Sequence, residues 1–264
     1  MKRSGSDLTL ISPERYDAVL FDMDGVVTET AGIHAGCWKT MFDEYLQKWA
    51  AQNAQPFRPF EIDTDYKLYV DGKPRYRGVR DFLKSRAIVL PEGTPDDPPS
   101  AETVCGLGNR KNELVAGRIA SEKAKAYPGT IAFILYLQRL AIKTALVTSS
   151  RNCDAVLKSA GVDDLFDVRV DGDAIDKQGI AGKPAPDSFL KAAEMLGVNP
   201  QRAVVIEDAI SGVMAGARGR FGLVIGVARN NTPEELTSNG AHIAVNDLSE
   251  LLTWSTAQRV EPAA

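Results

Sequence analysis

Two pairs of carboxylates follow short apolar runs in this sequence: Asp22 and Asp24 after Ala18-Val-Leu-Phe21, and Glu207 and Asp208 after Val204-Val-Ile206. Carboxylates two residues apart, where a strand opens into a loop, can converge on one point, and buried without a cation they would be costly. Four of them at two strand ends suggest a magnesium site with hard oxygen ligands. Any one of these aspartates alone would be an ordinary cap or turn residue, but two such clusters weaken that reading. A third polar cluster, Thr148-Ser-Ser-Arg-Asn152, follows the run Thr144-Ala-Leu-Val147 and opens a helix. Hydroxyls and backbone N–H groups at a helix start can cradle a phosphate, whereas Ser149 or Ser150 by itself is more often only an N-cap. The fourth cluster is Gly182-Lys183-Pro-Ala-Pro186. It holds a lysine in a stiff loop ahead of a helix, where it can neutralise phosphate charge; an isolated lysine is ordinarily a solvated side chain.

The elements that must position these groups alternate along the chain. The run 18–21 reads as a buried strand ending at Asp22. The spacing of Trp38, Met41, Phe42, Tyr45 and Trp49 predicts a helix over 31–51, stopped by Pro56 and Pro59. Residues 63–76 show no assignable pattern, 78–87 read as helix, 91–100 as a loop rich in Pro and Asp, and 101–125 as helix in spite of Gly106, Gly108 and Gly117. From there a helix over 131–140 precedes strands at 144–147, 166–170, 203–206 and 223–227, with helices between them. That order predicts an α/β fold, a doubly wound parallel sheet whose ligands bind beyond the carboxyl ends of its strands. The expected division is a core of residues 1–33 and 127–264 with an inserted helical cap over 34–126. No internal repeat is visible, and the tail 260–264 is expected to be mobile.

Composition removes several function classes. At 264 residues the chain is long enough for a large domain, or a domain with an insert, and so for a cleft between two units. No apolar run approaches the roughly 20 residues needed to span a bilayer, and residues 1–16 lack the pattern of a signal peptide, so a cytoplasmic protein without a membrane role is expected. A formal charge of −4 argues against a general nucleic-acid binder. Cys37, Cys105 and Cys153 are odd in number and widely spaced, and the only histidines are His34 and His242, which leaves no pattern for a disulfide scaffold or structural zinc.

Taken together and in this order, the four clusters resemble the motifs of the haloacid dehalogenase-like superfamily of phosphotransferases, over the whole of the predicted core. The resemblance implies that Asp22 is the nucleophile that becomes an aspartyl phosphate and that Asp24 is the general acid and base. It implies further that Thr148 or its neighbour Ser149, with Lys183, hold the phosphoryl oxygens, and that Asp22, Asp24, Asp208 and Glu207 surround Mg²⁺. A carboxylate at position 24 argues against a dehalogenase.

Within the superfamily the chain looks most like the β-phosphoglucomutase group. Residues 22–34 resemble that group's first motif, with Thr30 and His34 matching its hinge threonine and histidine. Gly78-Val-Arg80 resembles the segment whose arginine grips a distal phosphate, at a spacing different by one residue. Arg110-Lys-Asn112 is similar to the motif whose lysine, here Lys111, reaches the active site. Ser150, Arg151 and Asn152 look like the loop that contacts sugar and phosphate, with Arg151 in place of the usual lysine. Ala209 stands where the group tends to carry serine, and 57–76 has no counterpart.

The resemblance implies a small phosphorylated metabolite as substrate, a hexose phosphate, and leaves the oligomeric state open with a monomer compatible. Three readings follow: a mutase of hexose 1- and 6-phosphates working through a bisphosphate, a phosphatase in which water attacks the aspartyl phosphate, and a non-catalytic metal- or phosphate-binding module, which would have lost Asp22 or Asp24. Outside their motifs His34 would read as a half-buried histidine and Arg80, Arg110 and Lys111 as solvated helix charges, a reading that Arg110 keeps. Trp38, Phe42, Tyr45 and Trp49 read as packing residues of the cap.

Overall fold

The computed structural model describes residues 10–256, so the tail 260–264 lies outside the described residues. In chain order the elements are β1 (Ala18–Phe21), α1 (Ala31–Gln52), a π-helical segment (Ile62–Val70), α2 (Arg75–Ser85), α3 (Val104–Ser121), α4 (Pro128–Arg139), β2 (Lys143–Val147), α5 (Cys153–Ala160), β3 (Val168–Val170), α6 (Gly172–Gln178) and α7 (Asp187–Leu196). They continue with β4 (Ala203–Glu207), α8 (Ile210–Arg218), β5 (Leu223–Val227), α9 (Pro233–Ser238), β6 (Ile243–Val245) and α10 (Ser249–Thr256). Among the described residues no helix is long and apolar enough to cross a membrane.

The six strands form one parallel sheet in the order β3-β2-β1-β4-β5-β6. Strand β1 is central and apolar at every position because both of its faces are covered. Val19 and Phe21 pack on one side with Phe133, Ile134 and Leu157, and Ala18 and Leu20 on the other with Phe189 and Val213. Register then does the positioning. Phe21 lies beside Leu146 on one neighbour and Ile206 on the other, so Asp22, Thr148 and Glu207–Asp208 emerge together at the carboxyl edge. The backbone N–H of Asp22 donates to Ile206 O at 3.0 Å, which fixes the nucleophile candidate against β4.

Helices α1, α2 and α3 and the π-helical segment enclose an apolar cluster of their own. Its centre is Phe42, whose ring lies 4.2 Å from Phe82, 5.1 Å from Phe60 and 5.3 Å from Trp38 by centroid. The chain enters this unit after Thr28 and leaves it at Ala126, which pair as a bridge, and Glu29 N–H donates to Lys125 O at 2.8 Å.

Several boundaries differ from the sequence reading, each for a local reason. The unassigned stretch is the π-helical segment. It is held by bonds five residues apart, such as Asp71 N–H to Tyr66 O at 2.9 Å, and has no 3.6-residue period to detect. Helix α2 starts at Arg75, not 78, because Pro74 supplies a preset φ of −55° just ahead of it. Helix α3 starts at Val104, where the Thr103 side chain accepts from Gly106 N–H, and stops at Ser121 as the chain turns extended toward the Thr28 bridge. Strand β6 and helix α10 were not anticipated.

Removing the central ring of the helical unit tests how much it depends on that cluster. Phe42→Ala is expected to destabilise the protein by about 3–5 kcal/mol, read from urea unfolding. A loss under about 1 kcal/mol would show that the unit is held by something other than its aromatic core.

Candidate active site

Asp22, the first residue after β1, is buried and faces Lys183, whose Nζ lies 2.5 Å from Asp22 Oδ1 and 2.6 Å from Glu207 Oε1. The same ammonium donates to Val147 O at 3.3 Å and sits 5.0 Å from the Phe189 ring centroid. Burial works against charge on Lys183, but the two carboxylates outweigh it and raise the lysine's pKa, so it stays protonated. Burial raises Asp22 well above the ordinary carboxylate range, with Lys183 acting in opposition.

Asp208 closes the acidic side. Burial pushes its pKa up, and Asp71 and Glu207 add to the effect. Its carboxylate lies where a Cβ on Gly25 would be, and Gly25 takes φ +93°, so this loop position requires glycine twice over. Asp22, Glu207 and Asp208 present oxygens within 4.8 Å of one another. Buried hard-oxygen groups whose charges are disfavoured together suit a divalent cation such as Mg²⁺. Within that set Glu207 is occupied twice, by Lys183 and by the Ala209 N–H at 2.9 Å, and it lines no part of the cavity.

Asp24 stands apart from that group. It accepts a hydrogen bond from Thr30 Oγ1, which is itself 2.7 Å from Thr28 Oγ1, and its Oδ1 lies 3.5 Å from His34 Nε2. Thr30 is fully buried and absent from the cavity wall, so its contact is with Asp24. His34 Nδ1 is 2.9 Å from Lys111 Nζ. A charged lysine can only donate, so Nδ1 accepts and the ring proton sits on Nε2, toward Asp24. Burial lowers His34 to about 4, which keeps it neutral near pH 7.

The loop after β2 lines the same cavity from Thr148 to Asn152. Thr148 Oγ1 accepts from Ser150 N–H at 3.1 Å, and Ser150 Oγ accepts from Asn152 N–H at 3.2 Å. Ser149 Oγ donates to Gly72 O at 3.0 Å and Asn152 Nδ2 to Asn112 Oδ1 at 3.0 Å, both contacts joining sheet to helical unit. Arg151 pairs with Asp176 and lies 3.4 Å from Asp173.

From the helical unit come His34, Trp38, Asp71, Lys73, Arg75 and Lys111. Lys111 is buried, 5.0 Å from the Trp38 ring centroid, and burial together with Arg75 lowers it to about 8. Burial and then Arg151 lower Arg75. The cavity is about 60 Å³.

Arg80 must be corrected. Its side chain is 50% exposed and bonded to Glu92, with Nε 3.0 Å from Oε2, on a face of α2 away from the cavity. Arg75, five residues earlier, faces the cavity instead. Starting α2 three residues late concealed it, since Arg75 then fell in a stretch with no assigned structure. Tyr66, Asp71 and Lys73 were missed for the same reason, although the clustered charges around Pro74 were a signal that something besides packing was present.

A model of the haloacid dehalogenase-like hydrolase family matches residues 16–220. The chain is 47% identical over 243 residues to a β-phosphoglucomutase of Mycobacterium bovis, covering 91% of this chain and 93% of that one. It is 30% identical over 212 residues to a β-phosphoglucomutase of Bacillus subtilis, covering 79% and 83% respectively. A solved β-phosphoglucomutase structure from Clostridium difficile shares its fold with a TM-score of 0.69 at 24% identity, covering 93% of this chain and all of that one.

Removing Lys183 strands two buried carboxylates. Lys183→Met is expected to cost about 3–5 kcal/mol of stability near neutral pH without metal. Because Asp22 already titrates above its ordinary range, protonation favours the fold. The variant's deficit should be smallest below the unfolded aspartate pKa and grow as pH rises through the raised folded value. Urea unfolding over about pH 4 to 8 reads this, and a deficit independent of pH would contradict the charge argument.

Proposed function

Because the chain belongs to the haloacid dehalogenase-like hydrolase family, we propose that it is a magnesium-dependent phosphoryl-transfer enzyme that carries the phosphoryl group on Asp22 and interconverts hexose 1- and 6-phosphates. The observation that carries this reading is positive charge in two groups. Lys183 pairs with Asp22 behind the cavity wall, and Lys111, Arg75 and Arg151 line the cavity itself. A phosphatase needs only the first group. A mutase holds a bisphosphate by both. The identities to proteins named β-phosphoglucomutase support the same choice.

In this reading an Asp22 oxygen attacks phosphorus in line, and Asp24 gives a proton to the departing sugar oxygen. Thr30 and His34 hold Asp24 in place for that transfer. The free hydroxyl of a sugar monophosphate then gives its proton to Asp24 and attacks the phosphorus on Asp22, forming the bisphosphate and freeing Asp22; once the bisphosphate has reoriented, Asp22 takes the phosphoryl group from its other end as Asp24 returns the proton to the departing oxygen. Thr148, Ser149 and Lys183 cradle the transferring group, while Arg75, with Lys111 and the 150–152 loop, holds the one that waits. Arg75 thus takes the role that sequence resemblance assigned to Arg80. Asp22 and Asp208 would hold Mg²⁺, which when bound would neutralise charge on the phosphoryl oxygens. Residues 34–126 act as a cap that excludes water from the aspartyl phosphate.

Phosphorus NMR of the protein with Mg²⁺, β-glucose 1-phosphate and a trace of the 1,6-bisphosphate should show glucose 6-phosphate. Release of inorganic phosphate alone would make the protein a phosphatase. Arg75→Ala should lower isomerisation roughly 10- to 100-fold, the worth of a charged phosphate contact, and spare hydrolysis of acetyl phosphate, whereas Arg80→Ala should leave isomerisation within about twofold. Equal losses for the two variants would remove Arg75 from the site.

Lys111 adds a pH signature. In the free protein it loses its proton near pH 8, so kcat/KM should fall above that value as the cavity loses a positive charge. Since bound phosphate keeps the proton on, kcat should change less. A kcat/KM profile flat to about pH 9.5 would show that Lys111 does not hold the substrate's phosphate.

A further inference from the structure

Asp71 is the one carboxylate that the helical unit carries to the acidic edge of the sheet. It follows the π-helical segment, is 7% exposed, and lines the cavity with Asp22, Asp24 and Asp208. The Tyr66 hydroxyl donates to it, yet its Oδ2 is buried with no partner at all. Asp71 and Asp208 line the same cavity, and the chain positions after each approach closely, a Cβ on Gly72 standing 3.1 Å from that of Ala209.

Its backbone is fastened to the sheet. Ser211 Oγ, on α8, donates to Asp71 O at 2.7 Å, and Ser149 Oγ donates to the next carbonyl, Gly72 O. Gly72 has φ +69°, and a Cβ there would overlap the Ser211 hydroxyl and stand 3.1 Å from the Ala209 methyl. Close docking of this segment therefore needs glycine at 72 and a small residue at 209, which gives a physical reason for the alanine there.

An unpartnered, buried carboxylate oxygen in one cavity with Asp208 is repulsive unless something positive or proton-donating stands between them. Asp71 is outside the group of oxygens close enough to share one ion, which comes from Asp22, Glu207 and Asp208. Magnesium keeps several of its waters when it binds through one or two carboxylates, and those waters need acceptors.

We propose that Asp71 accepts a hydrogen bond from a water on the magnesium ion, so that the helical unit docks on the sheet through the ion's hydration shell and metal binding favours the closed arrangement. The proposal rests on the magnesium site described above. It makes Asp71 a positioning residue, and the coupling is reciprocal: whatever closes the cap tightens the metal, and the metal closes the cap.

The test uses the full chain without substrate. Isothermal titration with Mg²⁺ should show binding about 10- to 100-fold weaker for Asp71→Ala than for the unaltered protein, with a smaller loss for Asp71→Asn, which keeps an acceptor but not the charge. Hydrogen–deuterium exchange should show Mg²⁺ slowing the amides of residues 66–73 in the unaltered protein and not in Asp71→Ala. Mg²⁺ affinities of both variants within about twofold of the original would overturn the proposal and leave the magnesium site standing. So would an unaltered protein whose 66–73 exchange ignores Mg²⁺, a result that needs no variant to fold. If the unaltered protein binds no Mg²⁺, the magnesium site and this coupling fall together.

Discussion

A lysine ammonium shared by two buried carboxylates, with almost no water to screen any of them, is the constraint around which the molecule is arranged. Lys183 has 1% of its side chain exposed, Glu207 none and Asp22 9%. Desolvating three charges is expensive, and only close geometry and further hydrogen bonds make it tolerable. The sheet supplies that geometry. Asp22 ends the central strand, Glu207 ends its neighbour in register, and the Gly182–Pro186 loop brings the lysine in ahead of α7. The three charges sum to minus one, and adjacent Asp208 adds another carboxylate. Such a site attracts a small cation before it attracts phosphate.

The helical unit complements this edge in sign. Its contributions to the cavity include Lys73, Arg75 and Lys111, with Asp71 the lone carboxylate among them. A substrate that bridges negative groups at both ends therefore ties the two parts together. The polar ties between them include Ser149 to Gly72, Ser211 to Asp71, Asn152 to Asn112 and the Lys67–Glu235 pair at 3.5 Å, beside the apolar packing of Cys37, Val115 and Ile119 into the cluster under the sheet.

What the sequence disclosed follows from which forces are local. The core strands are apolar runs bounded by polar residues, so β1, β4 and β5 and the carboxylates beyond them were visible, and the fold class with them. The Thr148–Asn152 loop and Lys183 were visible for the same reason, each standing beside a strand or helix start. The helical unit was harder. The π-helical segment has no familiar period, Pro74 shifts the start of α2, and Asp71 lies in the interval between them with Arg75 at the first position of the helix. Arg80 matches the family segment in residue type, but which face of a helix a side chain occupies depends on where the helix begins, and a shift of three residues moves that face by most of a turn. Thr30 matches a hinge threonine by resemblance. Its burial and its bond to Asp24 make it a support for a neighbour, a role that only packing reveals.

The central place of β1 in the sheet has a consequence for synthesis. The strand leaves the ribosome early, yet its partners β2 and β4 begin at Lys143 and Ala203. Between them the chain completes α1, α2 and α3, whose aromatic cluster closes within residues 35–107. The nascent chain thus holds a finished helical subunit while an entirely apolar tetrapeptide, Ala18–Phe21, waits without a sheet to join. Domains tend to fold as they emerge, and waiting apolar strands are where misassociation starts. A chaperone that shields Ala18–Phe21 during translation would act on the strand that waits through the most chain for its partners.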